Sequence, residues 1–179
     1  MRSNGGSDPG GEAGSPAVRN GDGGSGVPAL KLRLLAVSVA AIVVIVDQAA
    51  KVWALRALDD GPIVLIDGVL NFRLFFNTGA SFSIFASGGA VIGLVVIGVV
   101  VMIFFALREA GHRLDAVALG LVLGGAVGNL LDRLFRGAGF IDGAVVDFIN
   151  VPFFATFNVA DIAINVGVGL LLVVAFLRR

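Results

Sequence analysis

Two carboxylates carry the chemistry this sequence can offer. Asp147 and Asp161 lie in the stretch VVDFINVPFFATFNVAD, residues 145–161, with no other charge between them. The stretch runs directly into the last long apolar segment, residues 162–177. An acid placed where a membrane helix begins is costly unless it is paired, hydrated or used. Two carboxylates sharing a poorly solvated place cannot both ionise easily. One keeps its proton while the other is charged, which supplies an acid and a base at the same pH. Attack of an activated water on a peptide bond needs that pair. A purely structural reading fits the same two residues. Asn158 is placed to cap the last helix, which sets Asp161 at its third position, where an acid favours the helix dipole. Asp147 is then an ordinary loop acid. The rest of the chain has to decide.

Composition narrows the field. Of 179 residues, 57% are hydrophobic and only 15% charged, with a mean hydropathy of +0.96. Soluble domains are nearer half apolar and a quarter charged, so this is a membrane protein of a few spans. The formal net charge is zero, and nothing points to nucleic acid. There is no Cys and one His, His112, which sits among Arg108, Arg113 and Glu109 in a polar loop. Disulfides, thiol nucleophiles and Cys or His-rich metal sites are therefore excluded. Any hydrolytic chemistry falls on carboxylates, or on Ser with Lys. Neither a metal nor another cofactor is expected.

The expected fold is an α-helical membrane protein with four transmembrane helices and a small extracytoplasmic β-rich segment. Residues 1–29 are rich in Gly, Ser, Pro, Asp and Asn. They cannot build a core and are expected to form a disordered cytoplasmic tail. Spans are expected at about 32–56, 87–107, 114–131 and 160–177. In the first, Asp47 and Lys51 lie one turn apart on one face and can pair, making an intramembrane acid tolerable. Residues 61–85 read differently, with IVLI and LNFRLFF as short strands around an Asp-Gly turn. Open sheet edges cannot face lipid, so this piece belongs at the interface. Asn77 and Gly79 follow it and can place polar groups beside an extended peptide. In the third span Gly120, Gly124 and Gly128 recur every four residues beside Gly125, a small-residue face for close packing. Asn129, Asp132 and Arg133 come directly after it. Residues 135–157 are expected to form a second outer loop.

Lysine and arginine set the topology. With both termini inside, the cytoplasmic flanks hold Lys31, Arg33, Arg108, Arg113, Arg178 and Arg179, besides Arg2 and Arg19 in the tail. The other side holds Lys51, Arg56, Arg73, Arg133 and Arg136, together with most of the acids. The excess of cations points inward, which sets Asp147 and Asp161 at the outer membrane face.

Five motifs occur in order: DQAAK at 47–51, FNTGASFS at 76–83, GGAVGNLLDR at 124–133, VVDF at 145–148 and FNVAD at 157–161. Together they resemble the lipoprotein signal peptidases, also called signal peptidase II, over residues 30–179. The resemblance implies a four-helix aspartic endopeptidase of the cytoplasmic (inner) membrane. It implies substrates that are prolipoproteins, cut just before a Cys that carries diacylglycerol, with membrane lipid as surroundings. The family's catalytic pair falls on Asp147 and Asp161. Its supporting and substrate-binding positions fall on Asp47, Lys51, Asn77, Gly79, Asn129, Asp132, Arg133, Asn158 and Ala160. The rival from another class is a small proton-coupled membrane transporter. It calls for charges near the midplane and often an internal repeat, whereas these acids gather at one face.

Overall fold

The computed structural model describes residues 28–79, 88–137 and 141–178, leaving aside the side chains of helix residues 88–92. All but the last two residues of the expected tail fall outside these ranges, as do residues 80–85 of the expected outer segment. The described residues form four helices and three short strands, in the order α1 (Ala29–Ala57), β1 (Ile63–Ile66), β2 (Leu70–Asn77), α2 (Gly88–Glu109), α3 (Arg113–Phe135), β3 (Val145–Asn150) and α4 (Val159–Leu177). Among the described residues, α1, α3 and α4 are long and apolar enough to cross a membrane. The chain is an integral membrane protein, mostly helical, with a small antiparallel sheet.

Burial along α1 shows why a membrane suits it. Its buried residues are Leu32, Ala36, Ala40, Val43, Asp47, Lys51 and Ala54, one stripe at three- to four-residue spacing. The opposite face exposes Leu34, Ile42 and Ile45. The mid-helix charges Asp47 and Lys51 are inside, the other charges sit near the helix ends, and large aliphatic side chains face out, the pattern of a helix solvated by lipid.

α3 is the axis of the bundle. Over half of its span is buried, 56% against 22% for α1 and for α4. Its glycines explain the close approach. A methyl at Gly120 would lie 2.6 Å from the Ala36 carbonyl oxygen, and one at Gly124 2.7 Å from that of Ala40. Both contacts are with α1. Gly125 faces α4 instead, where a methyl would strike the Ala160 carbonyl. One helix thus meets two neighbours backbone to backbone through two sides of a small-residue surface.

The sheet has the order β1-β2-β3, antiparallel throughout. β1 and β2 turn through Gly68, whose φ of 66° suits glycine. β3 lies within the expected second outer loop, and it pairs with β2 across a register shift between Phe72 and Phe75. Trp53 of α1 meets the rings of Phe72 and Phe148 edge-on at 5.4 and 6.2 Å. These three rings, with Ala54 and Leu58 below them, seat the sheet on the end of α1. Beyond β3 the chain doubles back. Phe157 bridges to Ile149, and this return delivers Asn158 to the flank of β3.

Candidate active site

Asp147 stands in the middle of β3, opposite Phe75 of β2. Asn77 is therefore its diagonal neighbour on the same face, and the Asn77 amide donates to Oδ2 of Asp147 at 3.1 Å. Gly79 N donates back to the Asn77 side-chain oxygen at 2.9 Å. Gly79 has φ of 80°, which explains a glycine there. Asp147 itself is 1% exposed. Burial pushes its carboxyl up from 3.8 to about 6. The Asn77 amide opposes this, and the nearby Asp161 charge reinforces it.

Asn158 joins the two acids. Its amide donates to Oδ1 of Asp147 at 2.6 Å and to Oδ1 of Asn129 at 3.1 Å. Its side-chain oxygen accepts from Asp161 N at 3.0 Å, while Asp161 Oδ2 accepts from Asn158 N at 3.1 Å. This is a capping box at the start of α4. The structural reading of Asp161 thus holds at its cap, and it occupies one carboxylate oxygen only. Oδ1 of Asp161 receives the Asn129 amide at 2.9 Å and faces the site.

Beneath lies a buried charge cluster. Lys51 Nζ sits 2.8 Å from Asp47 and 2.8 Å from Asp132, and donates to Asn129 Oδ1 at 2.9 Å. Arg136 completes Asp132 at 2.8 Å. Two acids and two bases cancel, which is how such groups tolerate burial. The cluster also holds backbone. Asp47 Oδ1 accepts from Ala160 N at 2.9 Å, and Asp132 Oδ2 accepts from Val146 N at 3.1 Å. One fixes the first turn of α4, the other the strand that carries Asp147. Ala160 has to be small because Gly125 and Gly128 close on it.

Asp147 and Asp161 open into one cavity of about 530 Å³, lined also by Asn77, Phe154, Thr156, Phe157, Ile162 and Asn165. Arg133 is buried nearby at 5% exposure, and its Nε and Nη1 have no hydrogen-bond partner. His112 is remote. It precedes α3, and its N–H donates to Asp115. Twenty helical residues, roughly 30 Å, separate it from Asp132.

The signal peptidase II family model matches residues 39–177. The chain belongs to that family. It is 45% identical over 148 residues to the lipoprotein signal peptidase of Mycobacterium avium, covering 82% of this chain and 80% of that one. The Streptomyces griseus lipoprotein signal peptidase is 39% identical over 173 residues, 96% and 85% of the two chains. A solved bacterial membrane enzyme superposes with a TM-score of 0.70 at 26% identity, over 78% of this chain and 91% of that chain. A second gives 0.67 at 27% identity, over 80% and 87%. The transporter reading is not favoured.

Within this signal peptidase II scaffold, the positions the resemblance marked gather at one end of the bundle. Arg133 adjoins Asp132 in sequence but makes no ion pair with it; Arg136 does. Gln48 escaped the sequence reading. Its amide reaches the Gly128 carbonyl at 3.0 Å, with longer contacts to Asp47 and Asp132. Its place inside DQAAK was the available signal. A search for pairs one turn apart passes over the residue beside the acid.

Proposed function

We propose that the chain is an aspartic endopeptidase that removes the signal peptide from prolipoproteins, cutting before a Cys that carries diacylglycerol. Asp147 and Asp161 are the catalytic pair. The observation that carries this is one residue, Asn158, whose side-chain amide donates to the Asp147 carboxylate and whose backbone N–H donates to the Asp161 carboxylate, the two acids lining a single cavity. The pair holds a water between them. Asp147, whose carboxyl sits near 6, is the proton holder, and it protonates the leaving amine. Asp161 takes the proton from the attacking water.

Arg133 is assigned to a substrate carbonyl: its buried Nε and Nη1 have no hydrogen-bond partner, and that unmet demand supports a binding role. Asn129 and Asn158 hold the carboxylates in place and share that task. Asn77 and Gly79 position the chain from above. Asp47, Lys51, Asp132 and Ala160 support the frame. The apolar signal segment lies among the helices, and the diacylglyceryl chains extend into lipid. Residues 30–179 make up the peptidase and residues 1–29 the tail. The Lys and Arg distribution supports a cytoplasmic (inner) membrane protein with both termini inside and its site at the outer face.

The test is incubation of the purified protein with a diacylglyceryl-modified prolipoprotein and with its unmodified form, with product masses measured. The expected product begins at the lipidated Cys, from the modified substrate only. Equal cleavage of both contradicts the lipid requirement, and cleavage of neither contradicts the peptidase reading.

A further inference from the structure

A second recess opens at the end of the bundle away from the Asp pair. α1 and α2 both pack on α3 but touch each other little, and a cavity of about 240 Å³ lies between them. It is lined by Arg33, Val37, Phe104, Leu107, Arg108 and Leu123. Its floor is core: Leu107 is buried, and Leu123 packs against the cluster that holds Leu32, Ala36 and Leu119. Its sides face outward, with Val37 55% and Phe104 59% exposed. They are apolar on a face that lipid bathes.

The mouth is cationic. Arg33 is one turn from Val37 on α1, and Arg108 one turn from Phe104 on α2. Each wall therefore presents a guanidinium at the helix end and an apolar side chain one turn, about 5 Å, deeper. The Arg108 guanidinium lies 5.5 and 5.3 Å from the ring centres of Phe104 and Phe105. Among the described residues neither arginine makes an ion pair. Asp115 of this end is taken by Arg178, and Glu109, exposed beside Arg108, pairs with neither. Lys31 and Arg113 add to the positive field without lining the recess.

Two uncompensated cations above an apolar slot that opens to lipid match a ligand with a negative head and a hydrocarbon tail. We propose that this recess binds an anionic phospholipid. Its phosphate sits between Arg33 and Arg108, and one acyl chain runs along Val37, Phe104 and Leu123. A soluble anion would use the arginines and leave the slot empty. The site is separate from the cavity of the Asp pair, since Arg33 and Asp47 are fourteen helical residues, about 21 Å, apart.

The full chain in detergent, stripped of lipid, is titrated with phosphatidylglycerol, with phosphatidylcholine of the same acyl chains, and with glycerophosphoglycerol, reading bound lipid by native mass spectrometry. Phosphatidylglycerol is expected to bind at one site in preference to the other two. The R33Q/R108Q double variant is expected to weaken it on the order of tenfold, while K31Q/R113Q leaves it unchanged. Equal losses in the two double variants would show diffuse charge attraction and overturn the site. So would binding of the soluble headgroup as tight as that of the lipid. Should R33Q/R108Q fail to fold, wild type decides alone. A phosphatidylglycerol with a photoreactive acyl chain is expected to label the peptides around residues 33–37 and 104–108. Labelling confined to other segments refutes the proposal.

Discussion

Asp147 accepts two amide hydrogen bonds, and each favours its ionised form. Burial outweighs both and holds the carboxyl near 6. The sign of the consequences follows. The folded protein binds this proton more tightly than the unfolded chain, whose carboxyl keeps its ordinary 3.8. Stability therefore falls as pH rises from about 4 to 6, the window between the two values. The melting temperature is expected to drop between pH 4.5 and pH 7, and Asp147→Asn to flatten that slope; an equal slope in the variant contradicts the shift. Activity reads the same proton. If Asp147 delivers it, kcat/KM declines on an alkaline limb near pH 6, since that ratio reports the free enzyme. A profile flat from pH 5 to pH 8 would remove Asp147 from the role of acid. Lys51, Asp47 and Asp132 act differently. Each is matched by an opposite charge within 2.8 Å, which suits anchoring more than proton transfer.

At the scale of the element, the bundle rests on α3 meeting α1 and α4 without side chains between them. Gly124→Ala would place a methyl 2.7 Å from the Ala40 carbonyl oxygen and 2.6 Å from Val43 Cβ. Overpacking of this kind costs about 1–3 kcal/mol. Gly98→Ala and Gly169→Ala add a methyl with nothing within 4 Å, and a helix gains from alanine over glycine. The first variant is expected to melt lower than wild type and the other two equal or higher. The same order of melting in all three would mean that close packing is not what those glycines supply.

The elements differ in how plainly the sequence shows them. The helices announce themselves as long uncharged runs. β1 and β2 are legible because β-branched and aromatic residues flank an Asp-Gly turn. β3 is not, because Val145, Val146, Asp147 and Phe148 are all buried. A strand covered on both faces has no alternation to read, and its partner β2 lies some seventy residues back. The site divides in the same way. Asp47 with Lys51 is a one-turn pair and visible. Lys51 with Asp132, and Asn158 with Asp147, exist only once α3 and the returning chain have packed. One-turn spacing also explains Asp132, whose ion pair is with Arg136, four residues on, and not with the adjacent Arg133.

At the scale of the molecule, buried charges cancel beneath the site while lipid-facing surfaces carry none of the chemistry. Asp47 to Asp161 spans the residues assigned to catalysis and its support, and the first 25 residues lie outside that range. Deleting them is expected to leave insertion and cleavage at wild-type level. A truncated protein that inserts normally but fails to cleave would show the tail to be part of the machinery. The most direct measurement compares single-turnover cleavage of a diacylglyceryl-modified prolipoprotein by Asp147→Asn, Asp161→Asn and Asp132→Asn, each with its melting temperature. The first two are expected to be inactive yet fold, and the third to melt lower while keeping some turnover. Near-normal rates in Asp147→Asn or Asp161→Asn, or an inactive Asp132→Asn as stable as wild type, would contradict the assignment of the pair.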